Sequence, residues 1–400
     1  MRPLPKPLAL LALLGPLTLG ACRGPGTTSA PTPEVAALPE QAADPVDPGV
    51  LDDLTATAAA LLEGTDLPAL SLAVIVDGEL VAEGAAGLRR VGSDERVTAS
   101  DAFHIGSCTK SMTATLAGML VDEGLLDWGT TIEDVFPDLE YDEAARGVRL
   151  DQLLTNTGGM STDVPPLLWA ELWAEADTPT AMRRRLLEAT VARPLAHAPG
   201  VTFEYSNTGF AIAGAMLEQL AGVPYEQLLA ERLFEPLGMT TAGFRAPATA
   251  GQVDQPYGHV EREHAPVPVE AEPAGDNPRA IAPAGAVHLS AADLARYVQL
   301  HLGGGSLELG QLLEPATLAH LHTPPEDGFY AMGWFVTQRS WAGGTALNHA
   351  GSNTMFFTVI WIAPERDFAA IAMSNMAGEE AAGTCDAAIA GLIERYLGAL

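Results

Sequence analysis

Apolar residues fall into different rhythms along this chain. Leu70-Ser71-Leu72-Ala73-Val74-Ile75-Val76 is a short, nearly continuous apolar run, followed by Asp77-Gly78 and then Glu79-Leu80-Val81-Ala82. That pattern around Asp-Gly predicts a β-hairpin. Asp52 to Glu63, just upstream, predicts a helix. From Thr109 to about Leu302 the spacing is mostly helical, with helices expected over Leu116–Asp122, Thr180–Val191, Ala211–Ala221, Tyr225–Leu233 and Ala291–Leu302. The character then changes. Tyr330–Thr337, Phe356–Ala363 and Phe368–Ser374 read as strands, broken at Gly343-Gly344 and between Ala363 and Asp367. Glu380 to Leu397 reads as a closing helix. Strands at both ends thus flank a helical middle. The economical arrangement is an α+β fold: one antiparallel sheet built from N- and C-terminal segments, flanked by the terminal helices, with an inserted helical lobe. A cleft is expected between the sheet and that lobe.

The first residues follow another pattern. Arg2 and Lys6 precede an apolar run from Leu8 to Leu19, which is too short to span a bilayer comfortably. It ends in Leu19-Gly20-Ala21-Cys22. This resembles the bacterial lipobox, in which the cysteine is lipidated and becomes the new N-terminus. The alternative is an ordinary secretory signal, and either implies export. Residues 23–48 are rich in Pro, Ala, Thr and Gly and read as a tether. The expected organisation is therefore a signal over residues 1–22, a linker over 23–48 and a globular domain over 49–400.

Composition narrows the function classes. Of the 400 residues 48% are hydrophobic and 18% charged, as expected for a packed core. Fifty-one acidic against 21 basic residues give a net charge of −30. That argues against nucleic acid as a partner and against electrostatic docking on anionic lipid. Membrane contact would come through the N-terminal lipid alone. The sequence has no His-Glu-x-x-His, Walker-type loop, convincing dinucleotide fingerprint or internal repeat, so neither cofactor nor metal is implied. Besides Cys22 there are two cysteines, Cys108 and Cys385, and nothing favours a bridge between them.

Three short motifs carry candidate chemistry. Ser107-Cys108-Thr109-Lys110 places a serine and a lysine on one face of a helical segment, at the start of a largely apolar helix. Exposed backbone N–H groups at a helix N-terminus can act with such a serine on a carbonyl group. Tyr205-Ser206-Asn207 precedes the apolar segment Gly209–Leu217, and His349-Ala350-Gly351 precedes the Phe356–Ala363 strand. Each has a plain structural explanation: a capping serine with a solvated lysine, a turn with a helix cap, and a hairpin connection.

Together, and in this order, the motifs resemble the serine hydrolase family of class C β-lactamases, D-alanyl-D-alanine peptidases and related esterases. Further matches are Phe103 to Ser107, Glu123 to Asp127, Leu153 to Met160, Pro283 to Ala295, and Met332-Gly333-Trp334. The resemblance runs over roughly residues 50–400. It implies that Ser107 attacks an acyl carbonyl and becomes acylated. It implies that Tyr205 serves as base in a proton network shared with Lys110; which of the two takes the proton stays open. The backbone N–H groups of Ser107 and Ser352 would form the oxyanion hole. The resemblance also counts His349 among the catalytic residues, and sets Asn207, Gly351 and Ser352 against substrate. The small acyl substrate itself is left unnamed.

The third motif departs from the pattern. Drug-hydrolysing relatives carry Lys-Thr-Gly where this chain has His349-Ala350-Gly351. A neutral histidine and an alanine remove two anchors for a substrate carboxylate. The departure favours neutral esters or amides and leaves two alternatives: β-lactamase, D-Ala-D-Ala carboxypeptidase or D-aminopeptidase activity, and a non-catalytic envelope binding protein. Met355, where many relatives have a small residue, is expected to narrow the cleft.

Overall fold

The computed structural model describes residues 51–161, 164–272, 274–307 and 310–398. The signal, Cys22 and the linker lie outside them. Among the described residues no helix is long and apolar enough to cross a membrane.

The main sheet has seven strands. From one edge the order is Asp52–Asp53, Glu79–Gly87, Ala69–Val76, Phe368–Ser374, Phe357–Ala363, Gly344–Ser352 and Phe335–Arg339. Every neighbouring pair is antiparallel except the first, short one. The two chain ends therefore meet in the middle of the sheet, where Ala69–Val76 pairs with Phe368–Ser374.

The near-continuous apolar runs have a simple cause: both faces of the central strands are covered. Along Phe368–Ser374, Ala369, Ile371 and Met373 face the core shared with the helical lobe, and Phe368, Ala370 and Ala372 face the other side. That second side is closed by the Glu379–Leu397 helix through Cys385, Ala388, Ile389, Leu392 and Ile393, and by Leu54 and Ala58 at the start of the domain. Cys108 and Cys385 thus lie in separate cores, and both are free thiols.

Several boundaries differ from the sequence expectation. The first helix covers only Thr55–Leu62, because Asp53 accepts the Thr55 N–H and Asp52–Asp53 joins the sheet edge. The strand expected at Tyr330 begins at Phe335; Gly333, at φ +84, turns the chain first. A whole strand, Gly344–Ser352, lies where the sequence suggested a break and a connection. Gly343 closes the Ser340–Ala342 turn, Gly344 opens the strand opposite Arg339, and the His349 motif sits on the strand itself.

Candidate active site

The Ser107 segment is a 3-10 turn, Gly106–Cys108, that leads directly into the Thr109–Asp122 helix. Thr109 to Leu120 is buried at every position. The helix runs through the core, and only its two ends reach solvent. Lys110, one turn in, has no exposed side chain.

Ser206 caps the Asn207–Ala221 helix by accepting the Gly209 N–H at 3.0 Å. The capping explanation of that serine therefore holds, and it fixes the residues on either side. Ser206 N donates to buried Asn156 at 2.9 Å, which holds the loop down. Tyr205 is thereby set beside Ser107. Asn207 presents Oδ1 to Lys110 at 2.7 Å.

Lys110 Nζ has three acceptors: Ser107 Oγ at 3.1 Å, Asn207 Oδ1 at 2.7 Å and the Ala284 carbonyl at 2.7 Å. It also lies 4.7 Å from the centre of the Tyr205 ring. Burial pushes its pKa down to about 7. Burial raises the Tyr205 phenol well above the ordinary tyrosine value, and the Ser107 hydroxyl beside it offsets this only in part.

The Gly344–Ser352 strand is pressed against the Ser107 turn. A Cβ on Gly351 would lie 2.0 Å from Ile105 O and 2.7 Å from Ser107 N. A Cβ on Gly106, whose φ is +48, would lie 2.3 Å from Ser352 N. Glycine at both positions lets the backbones touch and brings the Ser107 and Ser352 amides side by side. Gly351 is thus a close-packing position more than a contact for a bound molecule.

His349 is not in the open cleft. Its ring is buried, with Nδ1 on the Ala350 carbonyl at 2.7 Å and Nε2 3.3 Å from the Tyr330 hydroxyl. The Tyr205 ring centre lies 6.2 Å away. Burial, helped by nearby Lys110, lowers its pKa to about 3, so the ring is neutral at pH 7. Met355 also belongs to the core, its side chain packed where Gly258 leaves room. The expectation that it narrows the cleft is not met. Cys108 is buried beside the site, its thiol against the His349 carbonyl and its pKa raised by burial. It packs into the core there.

Sequence reasoning missed the supporting polar residues His104, Asn156, Asp276, Tyr330 and Asn353. Each is buried, and each is joined to the site by hydrogen bonds or ion pairs of long sequence separation. The sole signal for them in the sequence was their position in or beside the blocks of family resemblance.

The family model described as Beta-lactamase matches residues 54–393. The chain belongs to the beta-lactamase family. This is a family of serine hydrolases. Penicillin-binding protein 4 of Amycolatopsis lactamdurans is 30% identical over 321 residues, covering 77% of this chain and 81% of that protein. Unguisins hydrolase ungD' of Aspergillus campestris is 25% identical over 358 residues, covering 84% of this chain and 63% of that protein. Among solved structures, the octameric penicillin-binding protein homologue from Pyrococcus abyssi superposes with a TM-score of 0.69 at 24% identity, over 85% of this chain and 76% of that one. D-alanine carboxypeptidase AmpC from Burkholderia cenocepacia gives 0.65 at 22% identity, over 84% and 96%. These two likenesses establish the fold of this beta-lactamase family member: a mainly antiparallel sheet flanked by many helices.

Proposed function

We propose that this chain is an exported, lipid-anchored serine hydrolase that cleaves neutral esters or amides through an acyl-enzyme on Ser107. One observation carries the reading: Lys110 Nζ lies 3.1 Å from Ser107 Oγ with its pKa lowered to about 7. A neutral amine has two protons and one lone pair. The protons go to Asn207 Oδ1 and the Ala284 carbonyl. The lone pair then faces Ser107 Oγ. Lys110 is the base in this scheme, and Tyr205 keeps its proton.

Ser107 Oγ bonds to the acyl carbon and gives its proton to Lys110. The carbonyl electrons move to oxygen, where the Ser107 and Ser352 amides meet the charge. The bond to the leaving group breaks, and that group takes up the proton that Lys110 received, leaving the amine neutral again. Water then attacks the acyl-enzyme with Lys110 again as base, freeing the acid and Ser107.

Buried, neutral His349 and methyl-bearing Ala350 give a substrate carboxylate no cation and no hydroxyl. A hydrogen bond to a charged group is worth about 1.5–3 kcal/mol. Its absence costs an anionic substrate about ten- to a hundredfold.

The test treats the folded domain with a fluorophosphonate probe, a neutral p-nitrophenyl ester and a chromogenic cephalosporin, with Ser107→Ala as control. Labelling of the wild type alone, and ester turnover well above cephalosporin turnover, is the expected result. An unlabelled wild type would leave a binding protein as the reading. Faster cephalosporin turnover would move the function toward lactams, in line with the name of the Amycolatopsis relative. In the full chain, Cys22→Ala should release the protein from membranes; unchanged retention would reject the anchor.

A further inference from the structure

We propose that Asp276 and His104 are positioning residues which hold both amide donors of the Ser107 site in register. The proposal rests on the Ser107 reading above. His104 is fully buried, and its Nδ1 accepts the Gly106 N–H at 3.0 Å. Nδ1 therefore carries a lone pair, and the ring proton sits on Nε2. Nε2 lies 2.9 Å from Asp276 Oδ1, a close contact although not a straight hydrogen bond. On this side the carboxylate holds the ring, and the ring holds the residue before the nucleophile. That residue is the glycine at φ +48 whose Cα abuts Ser352 N.

The same carboxylate reaches the other donor. Asn353 follows Ser352 and is buried; its Nδ2 lies 3.5 Å from both Asp276 Oδ1 and the Gly275 carbonyl. Its Oδ1 accepts the N–H groups of Met355 and Phe356 at 3.2 and 3.0 Å, which fixes the turn leaving the Gly344–Ser352 strand. Phe356 packs on His104 with ring centres 6.1 Å apart, and Thr358 Oγ1 donates to the His104 carbonyl at 3.4 Å. One carboxylate thus joins two backbone segments far apart in sequence, each of which carries one amide of the site.

Locally the carboxylate accepts only the Asn277 N–H, at 2.7 Å on Oδ1. Asp276 is 4% exposed, and its Oδ2 has no hydrogen-bond partner among the described residues. A buried carboxylate with an open oxygen costs stability, and an apolar residue of similar size would serve the core better. A misplacement of ~1 Å at a reacting centre can cost about a hundredfold in rate, which is the scale of effect such a tether guards against.

The experiment compares Asp276→Ala, Asp276→Asn, His104→Phe and His104→Asn with the wild type. Turnover of a neutral p-nitrophenyl ester is expressed per fluorophosphonate-titrated site, so a partly unfolded sample does not imitate a loss of kcat. Asp276→Ala and His104→Phe should lower kcat per site about tenfold or more with KM changed less than about twofold. Asp276→Asn keeps an acceptor oxygen for Nε2–H and should recover most of the rate. Two readouts need no activity. The 15N shifts of the His104 ring should report the Nε2–H tautomer, in Ser107→Ala as well as in the wild type. The Gly106 amide should exchange faster in His104→Phe than in His104→Asn, whose Oδ1 replaces Nδ1 as acceptor. An Nδ1–H tautomer, unchanged Gly106 exchange, or kcat per site within twofold of wild type in Asp276→Ala would overturn the proposal. If the wild type neither labels nor turns over, the hydrolase reading fails, while the tautomer and exchange data still accept or reject the tether.

Discussion

Gly351 is packed so closely on the nucleophile turn that a methyl group there would stand 2.7 Å from the Ser107 amide nitrogen. The strand and the turn cannot both keep their places with any side chain at that position. Overpacking of this kind typically costs about 1–3 kcal/mol, and the relief must come from moving one of the two amides. Gly351→Ala should therefore fold with a lower Tm and react with a fluorophosphonate about a hundredfold more slowly. Labelling at the wild-type rate would show that the juxtaposed amides are not the donors that matter.

Lys110 predicts the acid limb of activity. Its lone pair is available above its pKa of about 7, so kcat/KM for a neutral ester should rise with pH through about 7 and then level. Tyr205→Phe should slow the reaction and leave the limb where it is. A wild-type limb above pH ~10 that vanishes in Tyr205→Phe would make the tyrosine the base instead. Stability should move in the same direction. Between about pH 7 and 10.5 the unfolded chain holds a proton on Lys110 that the folded chain lacks, so folding strengthens as the pH rises. Urea unfolding of Lys110→Met should lose that part of the slope.

One buried and two half-buried histidines predict acid sensitivity. Burial lowers His288 and His322 to about 4, and burial with nearby Lys110 lowers His349 to about 3. Below the unfolded value near 6.5 the unfolded chain takes up protons that these folded rings refuse. Stability is thus complete above about pH 6.5 and is lost as the pH falls toward 4. At pH 5 each such ring removes about 2 kcal/mol. Urea midpoints at pH 7, 6 and 5 should fall steadily, and His322→Gln should flatten the slope. A midpoint constant from pH 7 to 5 would mean that these rings titrate normally.

Much of this was legible in the sequence because burial on two faces writes apolar runs. Phe368–Ser374 was placed to the residue for that reason, and Ala69–Val76 to within one. The motif residues Ser107, Lys110, Tyr205 and Asn207 were legible as short spaced patterns, and the structure brings all four together. The Gly344–Ser352 strand was not. Its glycines and its polar Asn348 and His349 look like a loop, and what makes it a strand is pairing on both edges with partners elsewhere in the chain. Gly333 shows the same limit: as part of Met332-Gly333-Trp334 it read as strand, yet its Cα is held against Ser111 of the nucleophile helix at φ +84. Long-range backbone contact of this kind leaves only a glycine in the sequence.

Arg183 separates stability from catalysis. Its side chain is fully buried in the Pro179–Val191 helix and bonds Glu218 at 2.9 Å, Glu226 at 3.0 Å and the Arg279 carbonyl at 3.2 Å. Glu218 Oε2 also accepts the Tyr225 N–H at 2.9 Å, so that carboxylate cannot turn to solvent when the arginine is removed. Arg183→Met should cost about 3–5 kcal/mol, because it leaves buried charge unpaired. Replacing the whole group at once, Arg183→Met with Glu218→Gln and Glu226→Gln, should recover most of that loss, since no charge is then stranded. Below the Tm of each variant, kcat per fluorophosphonate-titrated site should stay within twofold of wild type, as none of the three residues bonds Ser107, Lys110 or Tyr205. A triple variant no more stable than Arg183→Met would show that the guanidinium matters for the shape it fills against Tyr225 rather than for its charge.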